Sequence, residues 1–225
     1  AGVAILRDGA LLYEAYLDTG LTHSETLVPL LKNALATTGI ALPEVGLFAV
    51  SAGPGSFTGL RIGMALVKGL ALPGKTPCVG VSTLEALARS CYFPQESLIV
   101  SSSDARRGEV YYAVFEQTAA GLCRLCEDAV GNPDELLPLL ENCKKTVFLI
   151  GDGAKVCYNK LEKNKALTVL PEEYLKGRAF GVAFAARAAY LRGEAGQGTA
   201  LVPEYHRLSQ AQRERQERLK GSEAT

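Results

Sequence analysis

The stretch from Leu47 to Ala71 constrains the fold more than any other. A short apolar strand, Leu47 to Val50, runs directly into Ser51-Ala52-Gly53-Pro54-Gly55-Ser56-Phe57-Thr58-Gly59, and a helix continues to about Ala71. Pro77 to Val81 then supplies a second buried strand. Strands separated by a helix cannot meet through a tight hairpin, so this order predicts an α/β fold: a mainly parallel sheet with helices packed on it.

The flanking segments fit that frame. Val3 to Leu6 and Leu11 to Leu17 surround Arg7-Asp8-Gly9, where Asp-Gly favours a hairpin reversal. Thr22 and Glu25 have capping-box spacing, Leu27, Leu30, Leu31 and Leu35 follow on one helical face, and Thr37-Thr38-Gly39 ends the helix. Ser82 and Glu85 cap the helix after the second buried strand. Further on, Leu98 to Ser101 and Glu109 to Phe115 read as strands around a polar turn, Asp104 to Gly108. Asn132-Pro133 starts a helix. Val147 to Ile150 enters a second loop, Gly151-Asp152-Gly153. An Ala-rich helix spans Arg178 to Leu191, Gly193 to Gly198 reads as a linker, and Ser209 to Lys220 as a charged terminal helix. The division expected is residues 1–98, residues 99–200 and a tail, 201–225, with the first boundary near Pro94 to Ser103.

Gly53 to Gly59 follows a strand and opens a helix, a setting that attracts phosphate through backbone N–H groups and the helix dipole. The match to phosphate loops is incomplete. A Walker loop ends in Gly-Lys-Ser/Thr, whereas Gly59 is followed by Leu60 and Arg61, and Thr58 stands where a dinucleotide loop has glycine. The helix itself carries Gly59, Gly63 and Gly69 beside an apolar stripe of Leu60, Met64, Val67 and Ala71. Each interior glycine costs about 1 kcal/mol relative to alanine, so another backbone is expected close by. That neighbour is either the chain's own core or a partner's helix, and spacing does not separate the two.

Asp104, Arg106, Arg107 and Glu109 form either a solvated hairpin or a functional surface at a cleft between domains. Cys123 and Cys126 have the spacing of a metal pair but no second pair follows, so no metal site is expected. His206 reads as an ordinary surface residue, and with His23 the only other histidine a Ser–His triad is improbable. Neither H-E-x-x-H nor a triad supports a peptidase.

Composition narrows the function classes. Lys+Arg and Asp+Glu are both 24, so the basic bias of a protein that holds nucleic acid alone is missing. No apolar run reaches the ~20 residues of a membrane span. The six cysteines lie in ordinary contexts of a 225-residue chain that needs no staples, which predicts reduced thiols and a cytoplasmic setting.

Taken in order, GPGSFTGLRIG (53–63), GVSTLEALA (80–88), SDARRGEVYYAVF (103–115), GDGA (151–154) and PEYHRLSQAQR (203–213) resemble the TsaB, or YeaZ-like, family over nearly the whole chain. Its members are accessory subunits of the bacterial machinery that makes threonylcarbamoyladenosine in tRNA. The resemblance implies a compact, degenerate two-domain actin/hexokinase-like (ASKHA, RNase H-like) fold. It implies a non-catalytic, homodimerising subunit that supports the catalytic TsaD and the ATPase TsaE while TsaD modifies the adenosine beside the anticodon. By the same resemblance the docking surface comes from the first two helices, His23 to Ala36 and Phe57 to Ala71. Its candidate residues are His23, Leu27, Leu31, Thr58, Arg61, Ile62, Met64, Ala65 and Lys68. The loop residues Gly53, Gly55, Ser56 and Gly59 would border ATP or ADP at the interface with the catalytic subunit, with no cofactor held tightly by this chain and tRNA touched only weakly or through the partner. The catalytic relative carries H-x-E-x-H at its first helix, whereas this chain reads His23-Ser24-Glu25-Thr26-Leu27, with Leu27 in the second ligand position. Family members also begin with an A-I-D-T-S-like strand ahead of the hairpin, which the sequence from Ala1 does not contain. The alternative, on the strength of the two glycine loops, is an autonomous nucleotide-dependent phosphotransferase or ATPase.

Overall fold

Asp8 and Gly9 both take positive φ, 53° and 86°, and reverse the chain between β1 (Gly2–Arg7) and β2 (Ala10–Tyr16). A computed structural model describes residues 1–141, 143–161 and 167–207. Helix α1 (His23–Thr38) starts where the Thr22 N–H donates to Glu25 Oε2 at 2.8 Å and stops at Gly39, φ 67°. β3 (Phe48–Gly53), α2 (Phe57–Ala71) and β4 (Cys78–Ser82) form the right-sized crossover, and β3 and β4 pair in parallel. Ser82 Oγ accepts the Glu85 N–H at 3.1 Å to start α3 (Thr83–Ala88).

The remaining strands are β5 (Ser97–Arg106), β6 (Glu109–Thr118), β7 (Gly121–Arg124), β8 (Ala129–Gly131), then, after α4 (Leu137–Leu140), β9 (Val147–Ile150) and, after α5 (Ala154–Leu161), β10 (Leu167–Val169). They form one sheet in the order β10-β9-β5-β6-β7, with β8 also on β6. Pairing is parallel for β5–β9 and β9–β10 but antiparallel within β5–β6–β7, β6–β8 and β1–β2. The expected mainly parallel sheet is therefore a mixed one. The reason is link length: Arg107-Gly108 and the two residues after Thr118 are too short for a crossover and force hairpins. The polar turn is also tighter than expected, because Asp104 to Arg106 belongs to β5.

Side chains of the six-stranded sheet alternate between two cores. Leu98, Val100, Val114 and Leu149 pack with Leu140, Cys157 and Leu161 beneath α4 and α5. Ile99, Ala113, Phe115 and Ile150 pack with Leu84, Leu87 and Phe93 on the α3 side. Helix α6 (Ala179–Leu191) then returns to lie on β1, β4 and α3. Glu14 on β2 receives it, accepting from Arg178 Nη2 at 2.6 Å and from the Phe180 N–H at 3.2 Å. Gly193 to Gly198 is no free linker: Gly196 exchanges backbone hydrogen bonds with Cys78 at 2.8 and 3.0 Å, extending the edge of β4.

Among the described residues, β1 pairs only with β2 and β3 only with β4. Their other edges open onto a shared cavity of about 1230 Å³ walled by α1, α2 and α6. The expected terminal helix, Ser209 to Lys220, lies outside the described residues.

Candidate functional site

Helix α2 begins at Ser56, whose Oγ accepts the Gly59 N–H at 3.3 Å. That N–H is therefore occupied within the loop that sequence offers for phosphate. Gly53 is glycine for a different reason. Its φ is 138°, and a Cβ there would overlap the carbonyl oxygen of Glu204, so the loop is shaped to let a distant backbone pass. The Glu204 N–H donates to Ala52 O at 2.8 Å beside it. Gly55 and Ser56 are exposed.

The two sides of α2 resolve the ambiguity in its glycines. Leu60, Met64, Val67 and Ala71 are buried. Met64, at 3% exposed, thus faces the core and cannot be presented to a partner. An apolar stripe at helical spacing has the same sequence signature in a core as in an interface, which is why Met64 reads either way. Gly63 lets the helix settle onto β3, since a Cβ would sit 3.2 Å from Val50 Cγ2. A Cβ at Gly59 would sit 3.6 Å from His23 Nε2, so the starts of α1 and α2 lie close together there. Gly69 has nothing within 4 Å of its Cβ position. It belongs to an outer face with Thr58, Arg61, Ala65 and Leu72, all exposed and spaced three or four residues apart. Ile62 and Lys68 are half-buried on its flanks. On α1, His23 is exposed, whereas Leu27 and Leu31 are half-buried and line the cavity beneath the helices.

A strap formed by residues 201–207 crosses this region, and sequence reasoning gave its side chains no role. Leu201 is buried beside Val67, Ala71 and Cys78. The Tyr205 ring stacks on Phe57 with centroids 4.4 Å apart, and Arg61 Nε donates to Tyr205 Oη at 2.8 Å. The Arg61 guanidinium lies 5.5 Å from the Tyr205 ring centroid as well. His206 is half-buried, with Nε2 shielded from solvent, so it is not the ordinary surface histidine that its polar neighbours suggest. Arg207 pairs with Glu109 and donates to Ala105 O. The strap therefore ties the start of α2 to the β5–β6 hairpin. The signal for it was the run PEYHRLSQAQR, which stood out only as a resemblance.

In that hairpin the Asp104 carboxylate accepts from the Arg106 N–H at 2.7 Å and pairs with the Arg106 guanidinium at 3.3 Å, while the Asp104 N–H donates to Asp152 Oδ1 at 3.0 Å. The two polar loops of the sequence thus meet. Arg106 and Arg107 hold left-handed φ of 69° and 59°, a conformation that β-carbons disfavour, and both are exposed. Nearby, Asp128 accepts from Ser82 Oγ and from Arg124 Nη1, each at 2.6 Å, and Arg124 reaches Glu85 at 3.4 Å. Burial opposes the Arg124 charge, but its bonds to Asp128 and Glu85 raise its pKa nonetheless. Of the CxxC pair, Cys126 Sγ accepts the Val114 N–H at 3.2 Å and burial pushes its thiol pKa up, while Cys123 is exposed on an edge strand.

Ser56 is used as a cap, and no hydrogen bond joins Ser56 or Thr58 to a histidine among the described residues. No described helix is long and apolar enough to cross a membrane.

Comparison with known proteins places these features in a lineage. The family described as TsaD, tRNA N6-adenosine threonylcarbamoyltransferase, matches residues 18–214. The tRNA threonylcarbamoyladenosine biosynthesis protein TsaB of Escherichia coli (strain K12) is 37% identical over 133 residues, 58% of each chain. The TsaB protein of Bacillus subtilis (strain 168) is 29% identical over 219 residues, 94% of this chain and 91% of that one. The chain's match thus spans just over half of the Escherichia coli relative but nearly all of the Bacillus one. Among solved structures, a Pseudomonas aeruginosa protein described as similar to the peptidase YeaZ superposes with a TM-score of 0.80 at 28% identity, covering 92% of this chain and 94% of that one. YeaZ from Pseudomonas aeruginosa gives 0.73 at 27% identity, covering 91% and 93%.

Proposed function

Because the chain belongs to the TsaD family of actin-like α/β proteins, as a TsaB-type member of it, we propose that it is the non-catalytic subunit of a tRNA threonylcarbamoyl-transferring complex and works by docking onto a TsaD-type catalytic partner. The observation that carries this reading is the outer face of α2. Thr58, Arg61, Ala65 and Gly69 leave a shallow, exposed strip on which a partner helix can approach closely, and Gly69 has no packing reason of its own. His23 stands at the head of α1 beside it. A TsaE-type ATPase joins the pair, with ATP or ADP bordered by the exposed Gly55 and Ser56 but held mainly by the partner. The same strip pairs two copies of this chain when the partner is missing.

Two features support a supporting rather than a chemical role. His23 has Leu27 one turn on, so the helix offers one imidazole where a metal needs two. The glycine loop spends its special backbone on Glu204 of the strap instead of a phosphate. A peptidase reading, raised by the Pseudomonas relative's description, finds no serine hydroxyl hydrogen-bonded to a histidine among the described residues; Ser82 Oγ donates to Asp128 instead.

Size-exclusion chromatography of this chain mixed with a TsaD-type subunit tests the proposal. A stable heterodimer is expected, and Ala65→Glu, which alters an exposed position and leaves the core intact, should abolish it. Separate elution of the wild-type mixture, with TsaE-type ATPase and nucleotide present, refutes it.

A further inference from the structure

Behind Tyr205 the strap turns its two neighbouring residues toward the six-stranded sheet. Glu204 and His206 there meet Asp128 from the turn between β7 and β8, and one ligand atom from each lies within 4.8 Å of the others. The three line a depression of about 490 Å³. Three observations distinguish this group from a chance cluster of surface acids. His206 Nε2 is shielded from solvent yet has no hydrogen-bond partner, an arrangement that destabilises the fold unless something fills the role. The Asp128 carboxylate is held on both oxygens, by Ser82 Oγ and Arg124 Nη1, so its remaining lone pairs are oriented in advance, as the carboxylates of metal sites are. The arginines nearby are already committed: Arg192 to Glu194, Arg89 to Glu85, and Arg124 to Glu85 and Asp128. Glu204 enters no ion pair among the described residues.

We propose that Asp128, Glu204 and His206 form a binding site for a divalent transition metal of the zinc class. One imidazole nitrogen and two carboxylate oxygens suit such an ion, whereas calcium or magnesium would want oxygen alone. Three protein ligands leave positions for water. Two ligands lie on the strap and the third on the turn after β7, so an ion here fastens residues 204–206 to that turn. Tyr205 sits between two of the ligands and stacks on Phe57 while binding Arg61. Metal loading therefore fixes Tyr205 and Arg61 in place. On the proposed docking reading, and only on it, the ion also tightens the partner surface.

The test is a Zn²⁺ titration of the full chain against a competing chromophoric chelator, repeated with His206→Gln, Glu204→Gln and Cys123→Ser. One ion per chain is expected. Either ligand substitution should weaken binding by about tenfold or more, and Cys123→Ser should leave it unchanged. Glu204 is exposed, so its substitution spares the fold and keeps the test valid if the histidine variant is unstable. A Co²⁺ complex should show ligand-field bands without the intense near-ultraviolet band of thiolate ligation. Absence of binding, binding unchanged in both ligand variants, or binding lost with Cys123 each overturns the site. Zn²⁺ bound by the wild-type chain with no change in affinity for the TsaD-type subunit keeps the site and removes its coupling to docking. Failure to bind the partner under any condition bears on the docking proposal alone.

Discussion

Two helical glycines should respond to alanine with opposite signs. Gly181 lies in the first turn of α6, where a Cβ would overlap the Ala86 carbonyl oxygen and Ser90 Oγ and come within 3.0 Å of Ala86 C. Two of those atoms are backbone, so α6 must move off α3 to make room. Overpacking of this kind costs about 1–3 kcal/mol, and a backbone clash belongs at the upper end. Alanine's helix propensity returns about 1 kcal/mol, which leaves Gly181→Ala destabilised by about 2 kcal/mol. For a chain of this size that lowers Tm by about 4–8 °C. Gly69 has open space at its Cβ position, so only the propensity gain applies, and Gly69→Ala should raise Tm by about 2–4 °C. Calorimetry of the two variants beside the parent is sufficient. If Gly181→Ala is stabilised as Gly69→Ala is, then α6 does not lie against α3 and the docking of the returning helix is wrong. Since Gly69 is also on the strip proposed to meet a partner, its alanine variant should bind the TsaD-type subunit more weakly despite being the more stable protein.

Glu14→Ala removes both the charge-assisted bond to Arg178 and the acceptor for the Phe180 N–H, and should cost about 1.5–3 kcal/mol in urea denaturation; an unchanged midpoint would show that α6 is held by packing alone. Iodoacetamide at pH 8 should modify Cys123 on the native protein and spare Cys91 and Cys157, whose thiols burial pushes up to about 11, as peptide mapping would show. The same shifts predict an alkaline limit. Above the ordinary thiol value of 9.0 the unfolded chain ionises these groups while the folded chain keeps them protonated, so stability falls as pH rises from about 9 to about 11. A urea midpoint that stays constant from pH 8 to 10.5 would contradict it.

The parts of this fold that could be read in advance are those specified locally. The Asp8-Gly9 reversal, the Thr22–Glu25 cap, the strand–loop–helix at Leu47 to Ala71 and the Ser82 cap each depend on a handful of neighbouring residues, and each is present, with β3 running on to Gly53 through three residues that the pattern gave to the loop. What escaped reading depends on residues far apart. β7 and β8 are three or four residues long and acquire strand character only by pairing with β6. Gly196 looks like linker until Cys78 is beside it. Tyr205 lies 144 residues from the Arg61 that binds it, and nothing in a polar stretch announces such a contact. Met64 shows a different limit, since periodicity identifies an apolar face without saying what covers it.

The return of α6 also sets an order of events during synthesis. Glu14 leaves the ribosome 164 residues ahead of the Arg178 that it must bind. At about 5–20 residues per second that is a wait of roughly 8–33 s. Over this interval the β5–β6 hairpin, built from contacts close in sequence, is free to form. The N-terminal hairpin meanwhile packs against α1 but lacks the cover of α6, so the part of its surface that α6 meets in the finished fold stays open to water. The chain is thus expected to consolidate from its middle outward, with its first-made strands among the last to become native.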